Sequence, residues 1–323
     1  MLVELDKSVF VERYSSELDY ILQSGIQGFI YVNFDIEDPD VEEWLKSNNE
    51  DWYGVLDTYL SDSSSFKIEN IVIVKDIEES NFDSEIPIVT PSDGVIISKK
   101  PIELYLENSR NDKNFIKLIL NQDERDLFSR LENNELLSFS SGGVDELYQI
   151  LCGNVSKKGR RNKRFVLIDS DATAPNAISS SATKIKEHCQ ENNIFHHILE
   201  RRAIENYLPI QYLIEKLRPE HQVCTNDDYK KYTTYLSMTR EQRHHFHMKS
   251  GFKDQSCRNS GLYDVECPNL QTLKEGFSKK YADKFLDSLS DYDKIHDIIR
   301  LDGESDELIA VSKKIMSYIR LPL

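Results

Sequence analysis

Apolar segments alternate with helical segments through the middle of the chain, and this order limits the fold more than any other feature. Four apolar segments are predicted strands, at 102–106, 136–140, 164–168 and 194–199. Three segments between them are predicted helices, at 112–132, 144–155 and 177–193. This order is typical of a parallel sheet with helical crossovers. The run RFVLI at 164–168 is nearly all apolar, which indicates a central strand covered on both faces.

The regions on either side of this sheet have different patterns. Short apolar stretches and acidic or Ser-rich connectors alternate over the first hundred residues, while amphipathic helical stretches follow Pro209. We therefore predict an α/β fold with a Rossmann-like parallel sheet, helices on both of its faces, and three regions. These are an N-terminal α/β region at 1–98, the sheet domain at 99–212 and a mainly helical region at 213–323.

Composition excludes several classes of protein. The 323 residues are 39% hydrophobic and 30% charged, as in ordinary globular proteins. No apolar run approaches the roughly 18 residues of a membrane span, and the N-terminal segment lacks the pattern of a secretory signal, so we expect a cytoplasmic protein with no membrane contact. The five cysteines include no CxxC pair, which argues against a zinc knuckle or a disulfide framework.

The formal net charge of −16 opposes binding to nucleic acid, so such binding would need local cations or metal ions. One segment, at 156–164, carries six cations and no acid, and it is either a phosphate-binding segment or a solvated loop. The pair Arg201 and Arg202 either contacts phosphate or binds surface acids. The candidate nucleic-acid contacts in the basic segment are Lys157, Lys158, Arg160, Arg161, Lys163 and Arg164.

Two carboxylates follow the predicted central strand. Asp169 and Asp171 lie on the same side of an extended chain at its carboxyl end, where open α/β sheets bind ligands. Carboxylates suit Mg²⁺ or Mn²⁺. The alternative is that these acids cap the next helix.

Other residues converge on the same edge of the predicted sheet. Glu107 ends the first strand of this sheet, and Gly142 and Gly143 follow the second, where the backbone can come close to a ligand. An acid, a glycine pair and an Asp-x-Asp in this order favour a binding site over chance.

The order of Glu107, the glycine pair, Asp169 and Asp171 resembles the TOPRIM domain of topoisomerases, primases and OLD-family nucleases, over residues 100–210. The run ERRAIENYLP, with Glu205, is more similar to the OLD-like branch. The chain departs from that branch in two ways: Asn108 replaces a glycine, and Asp112 lies five rather than four residues after Glu107.

The resemblance implies two-metal hydrolysis of phosphodiester bonds with Mg²⁺ or Mn²⁺. Asp169, Asp171, Asp112 and Glu205 would hold the ions, and Glu107 would be a ligand or an acid–base group. It also implies that Lys249, otherwise a surface lysine, meets the developing negative charge. The substrate would be DNA or a tRNA-like RNA.

The resemblance also bears on partners. Many OLD-family proteins contain a fused ATPase, but this chain has no GxxxxGK[ST] motif. A separate ATPase or sensor protein would then control the nuclease, as in bacterial antiphage effectors, and a homo-oligomer is possible. The alternatives are a topoisomerase-like or primase-like subunit, or a binding module whose metal site has decayed.

Two groups of histidines allow either a metal-binding or a structural interpretation. The spacing of His244, His245 and His247 does not place all three on one helical face, which favours structural roles. The same interpretation applies to His196 and His197 on the fourth predicted strand.

Overall fold

The computed structural model describes residues 1–48, 56, 60, 70–153, 163–212, 226–277, 280–286, 292–301 and 306–319. Lys157, Lys158, Arg160 and Arg161 of the basic segment lie outside these residues.

The N-terminal region contains a four-stranded parallel sheet in the order β2-β1-β3-β4. Its strands are β1 (Leu2–Leu5), β2 (Tyr31–Asn33), β3 (Ile71–Val74) and β4 (Ile88–Val89). Its helices are α1 (Ser15–Ile26), α2 (Pro39–Asn48) and α3 (Pro91–Ser98).

A second four-stranded parallel sheet has the order β6-β5-β7-β8. Its strands are β5 (Ile102–Leu106), β6 (Leu137–Ser141), β7 (Arg164–Ile168) and β8 (Phe195–Ile198). All five residues of β7 are buried, and β7 lies inside the sheet between β5 and β8. The predicted α/β class with parallel sheets and a helical C-terminal region is confirmed.

Helices cover both faces of the second sheet. Alternate strand residues point to opposite sides, so each strand contributes apolar side chains to two separate clusters. Leu104, Leu106 and Leu167 share one hydrophobic cluster with helices α4 (Ser109–Ile119) and α5 (Gln122–Asn133). Tyr105 and Val166 belong to a second cluster, with α6 (Val144–Gly153) and α7 (Ser180–Glu191).

The predicted helix at 112–132 is wrong as a single helix, since α4 ends at Ile119 and α5 begins at Gln122. The side chain of Asn121 accepts a hydrogen bond from the Glu124 N–H, and the Glu124 carboxylate accepts one from the Asn121 N–H. This reciprocal capping starts a new helix.

The C-terminal region shares one hydrophobic cluster with a face of the second sheet and with helices α4 and α5. Its helices are α8 (Asn226–Ser237), α9 (Arg240–His245), α10 (Gln255–Arg258), α11 (Asp283–Leu286), α12 (Tyr292–Leu301) and α13 (Asp306–Ile319). The Tyr318 ring on α13 lies 5.6 Å from that of Phe165 and 4.9 Å from that of Phe195, centroid to centroid. One hydrophobic cluster runs from Ile102 to Ile319, so the boundary predicted at 212 does not separate two cores. Among the described residues, no helix combines the length and apolarity needed to cross a membrane.

Candidate functional site

The acids that follow β5 and β7 meet because these strands are parallel neighbours. Glu107 directly follows β5, and its Oε1 accepts a hydrogen bond of 2.9 Å from the backbone N–H of Asp169. Asp169 directly follows β7, and its Oδ1 accepts one of 3.0 Å from the N–H of Ile204. The two strand ends and the segment after β8 are thereby joined through carboxylates.

Asp112 is brought back to the end of β5 by the first turn of α4. Its Oδ2 accepts a hydrogen bond of 2.8 Å from the Asn108 N–H, and its side chain is buried. Asn108 itself caps the helix, because its side-chain oxygen accepts from the N–H groups of Arg110 and Asn111. Asn108 therefore starts the helix that places Asp112 beside Glu107.

The loop after β7 is clamped to the segment that carries Glu205. The Ser170 hydroxyl donates to the carbonyl oxygen of Arg201 at 2.8 Å, and the Asp171 N–H donates to that of Arg202 at 2.9 Å. Asp171 has a φ of +47°, a left-handed conformation that Asp tolerates better than most residues. Its side chain is exposed at the mouth of the site.

Glu205 lies in a short 3₁₀ helix at Ile204–Tyr207 and is 2% exposed. Its Oε1 lies 3.0 Å from the Nζ of Lys249. Burial alone would lower the pKa of Lys249, but the charges of Glu205, Asp169 and Glu107 outweigh it and raise this pKa. The lysine is therefore a charged member of the acidic cluster.

Three carboxyl groups of the site, those of Glu107, Asp112 and Asp169, hold protons more tightly than free acids do. Burial, with the charges of Asp171 and Asp112, raises the pKa of Glu107 to about 8. Burial, with the charge of Glu205, raises the pKa of Asp112 to about 7. Burial and the charges of Glu107 and Glu205 raise the pKa of Asp169 well above its usual value. The fold places several negative charges close together here, and bound protons or cations reduce their mutual repulsion.

The donor types fit a divalent cation, since Mg²⁺ prefers carboxylate oxygens and water. One oxygen each of Glu107, Asp112 and Asp169 accepts from a backbone N–H. Within the described part of the chain, no three His, Cys, Asp or Glu side chains already form a group that could hold a metal ion. Binding a metal would therefore require these acids to lose protons and their side chains to turn toward a common point.

The predicted glycine pair follows β6, on the far side of β5 from β7. A Cβ on Gly142 would meet the flexible side chain of Glu146 at 2.9 Å, and one on Gly143 would meet nothing within 4 Å. The structure shows no tight packing that requires glycine at either position.

The structure argues against Lys163 and Arg164 as phosphate contacts, because both are buried, at 2% and 1% exposed. The Arg164 guanidinium lies over the ring of Tyr105, and its Nε is 3.6 Å from Glu103. Burial, with the charge of Lys100, lowers the pKa of Lys163 to about 7. These two cations face the interior because β7 begins there, which the charge pattern alone did not reveal.

Arg201 and Arg202 are also buried, so their predicted role changes from phosphate contact to support of the site. Arg201 donates through Nη1 to the carbonyl oxygen of Asn206 at 2.8 Å and lies over the ring of Tyr207. Arg202 donates through Nη2 to Asp254 at 3.2 Å. Both guanidinium groups brace the segment that carries Glu205.

Two further residues lie at the border of the site: His247, which the sequence suggested only as one of a group of histidines, and Asp254, which it did not single out. Burial and the charge of Arg202 lower the pKa of His247, which also senses Lys249 and Asp171. The Nε2 of His247 is 3.8 Å from Asp254. No signal in the sequence links these residues, because only the tertiary fold brings them together.

A comparison with family models, curated proteins and solved structures gives no match.

Proposed function

We propose that this chain is a magnesium- or manganese-dependent phosphodiesterase that cuts nucleic acid through a TOPRIM-type acidic site. The observation that carries the proposal is the gathering of five carboxylates and a lysine, from four parts of the chain, at the carboxyl end of the second sheet. They are Glu107, Asp112, Asp169, Asp171, Glu205 and Lys249.

The acids divide by position. Asp169 and Asp171, with Asp112 and Glu205, would hold the ion. A bound divalent ion activates water and neutralises the charge of the scissile phosphate. Backbone hydrogen bonds hold one oxygen each of Asp112 and Asp169, and these side chains would still have to turn toward a common point to hold the ion.

Glu107 and Lys249 are the groups that would act on substrate. Oε1 of Glu107 accepts from the Asp169 N–H, and its raised pKa favours a proton on Oε2 at neutral pH. When an ion binds nearby and this proton is released, the Glu107 carboxylate can accept a proton from the attacking water, as general base catalysis requires. The Lys249 side chain is 42% exposed, so its ammonium can face both Glu205 and an incoming phosphate.

A binding module without metal is the second candidate. It is favoured by the absence, within the described residues, of a ready-made group of metal ligands. Three raised carboxyl pKa values agree with it, because protonated acids can hold the site together by hydrogen bonding alone. A titration with Mg²⁺ or Mn²⁺ separates the two candidates, since only the enzyme should bind the ion and cleave.

The first experiment compares Glu107→Gln and Asp112→Asn with wild type on labelled single-stranded DNA, plasmid and tRNA in Mg²⁺ or Mn²⁺. We expect Glu107→Gln to lower the cleavage rate by at least about 100-fold, the effect typical of losing a general base. A comparable loss is expected in Asp112→Asn, because its carboxylate lies beside the strand end that carries Glu107.

The matched controls are Asp145→Asn and Glu146→Gln, which neutralise exposed acids on α6 at the same edge of the sheet. Their cleavage rates should stay within a factor of about two of wild type, because surface changes have small effects. Full activity in Glu107→Gln would contradict the proposed mechanism.

The wider setting proposed for this nuclease is that of an antiphage effector in the cytoplasm, held in check by a separate ATPase or sensor protein. The sequence supports a separate ATPase only in that it contains no GxxxxGK[ST] motif of its own. A homo-oligomer is compatible with this proposal.

A further inference from the structure

A cleft of about 790 Å³ lies directly beside the loop that carries Asp171. Its wall begins at Ala172, the next residue, whose carbonyl oxygen lies 3.3 Å from Nδ1 of His245. The end of β8 and helix α9 form further walls, and α7 and α13 each contribute a lysine, Lys186 and Lys314. The cleft thus begins one residue after Asp171, and none of the acids of the site lines it.

The charge of the cleft differs from that of the chain. Its lining has three permanent cations, Lys186, Arg240 and Lys314, and two acids, Glu200 and Glu241. In the whole chain, acids outnumber Lys and Arg by 56 to 40. This local excess of cations adjoins a candidate phosphodiester site, so it favours an anionic ligand that reaches the same site.

The cleft also offers flat rings. Four histidines line it: His245 is only 5% exposed, whereas His196, His197 and His244 are half-buried, and burial lowers the pKa of His196, which favours its neutral form. Imidazole rings and an arginine plane are surfaces on which unpaired bases stack. Lys314 is positioned beside them, because its Nζ donates to the carbonyl oxygen of His196 at 2.6 Å.

We propose that this cleft binds a single-stranded stretch of nucleic acid next to the scissile phosphate, with phosphates near Lys186 and Lys314 and bases against the histidine rings. The inference rests on the proposed function of the acidic site. A volume in the usual range for ligand pockets, roughly 300–1,000 Å³, suits a short stretch of unpaired nucleotides. Paired bases in a duplex cannot offer their faces to these rings.

The test compares two double variants of equal charge. Lys186→Glu with Lys314→Glu reverses two charges in the cleft, and Lys184→Glu with Lys313→Glu reverses neighbouring exposed charges outside it on the same two helices. Binding of a short fluorescent single-stranded oligonucleotide, as DNA and as RNA, is measured by polarisation in metal-free buffer over a range of salt.

We expect the cleft variant to bind at least about tenfold more weakly, and its slope of log affinity against log salt to be smaller by about 1.4, at roughly 0.7 per lost phosphate contact. The outside variant should match wild type. Because the Lys314 side chain also donates to a backbone carbonyl, Lys186→Gln with Lys314→Gln, and Lys184→Gln with Lys313→Gln, repeat the comparison with a donor retained.

Equal binding by the cleft and outside variants, or no binding by wild type, would overturn the inference. Its failure is distinct from failure of the proposed function, since binding is measured without metal and without cleavage. If Glu107→Gln abolishes cleavage while both charge-reversal variants bind alike, the proposed function of the acidic site is supported and the proposed role of the cleft is refuted. If the cleft variant alone loses binding while no cleavage is found, the cleft stands without the enzyme.

Discussion

Release of protons on metal binding tests the acidic site without requiring a known substrate. Metal ligands must be deprotonated, so a carboxyl that carries a proton in the metal-free protein gives it up when the ion binds. Glu107, with a pKa of about 8, is roughly 0.9 protonated at pH 7, and Asp112, with a pKa of about 7, is roughly half protonated. These two groups release about 1.4 protons per site, and the raised pKa of Asp169 adds to that number.

The affinity for Mg²⁺ or Mn²⁺ should therefore rise more than tenfold per pH unit around pH 7 and level off above about pH 9. Isothermal titration calorimetry in two buffers of different ionisation enthalpy gives the number of protons directly. Glu107→Gln should lower that number by about 0.9 at pH 7, whereas Glu146→Gln should leave it unchanged. Metal binding with no proton release would refute the reasoning.

The same acids determine whether the free energy of unfolding of the metal-free protein rises or falls with pH. From the unfolded pKa values near 4 to the folded values of about 7 and 8, the folded protein binds more protons than the unfolded chain. The free energy of unfolding should therefore fall as pH rises through this window. Thermal melts in a chelating buffer measure this trend, and saturating Mn²⁺ should remove it, because these acids are then deprotonated in both the folded and the unfolded protein.

Two further predictions concern stability away from the acids. Lys163 has a pKa lowered from 10.5 to about 7, so the folded chain excludes a proton that the unfolded chain binds. Lys163→Met should therefore raise the free energy of unfolding by at most about 4 kcal/mol at pH 7.5. In urea titrations it should also remove the increase in stability that Lys163 causes between pH 7 and 10. Gly251→Ala should lower the free energy of unfolding by at least about 2 kcal/mol, because φ is +57° and the new Cβ would lie 2.0 Å from the Leu273 carbonyl oxygen. Gly261→Ala, where φ is +77° but the space is open, should lower it by only about 1 to 2 kcal/mol in the same assay. A smaller loss in Gly251→Ala than in Gly261→Ala, or equal pH profiles for Lys163→Met and wild type, would contradict these arguments.

The strands were predictable because their sequence patterns are local. The predicted bounds 102–106 and 164–168 coincide with β5 and β7, where apolar residues fill both faces of a buried sheet. An apolar run does not always form a strand: the run GVIIS at 94–98 lies in helix α3, since Thr90 caps that helix and Pro91 occupies its first turn. The capping residue decides the structure where the apolar pattern alone is ambiguous.

The site was predictable as far as the strand ends determine it. Glu107 and Asp169 meet because β5 and β7 are parallel neighbours. The sequence places both acids at the carboxyl ends of strands in one parallel sheet, but the order of the elements does not make these two strands neighbours, since β6 lies between them in the chain. The contact of Glu205 with Lys249 depends on how the C-terminal helices pack, and no local pattern encodes that packing. The burial of Arg164 was missed for a related reason: a charge suggests solvent, but β7 begins at this residue and takes it inside.

The position of the cleft bears on how a chain of net charge −16 could bind a polyanion. Around neutral pH the raised pKa values of Glu107, Asp112 and Asp169 keep part of the acidic site neutral before any metal binds, so its repulsion of phosphate is smaller than the count of acids implies. A divalent ion would displace those protons and add positive charge at the same point, while Lys186 and Lys314 supply fixed cations beside it. Metal and nucleic acid should therefore each strengthen the binding of the other, because each reduces the electrostatic cost that the other meets.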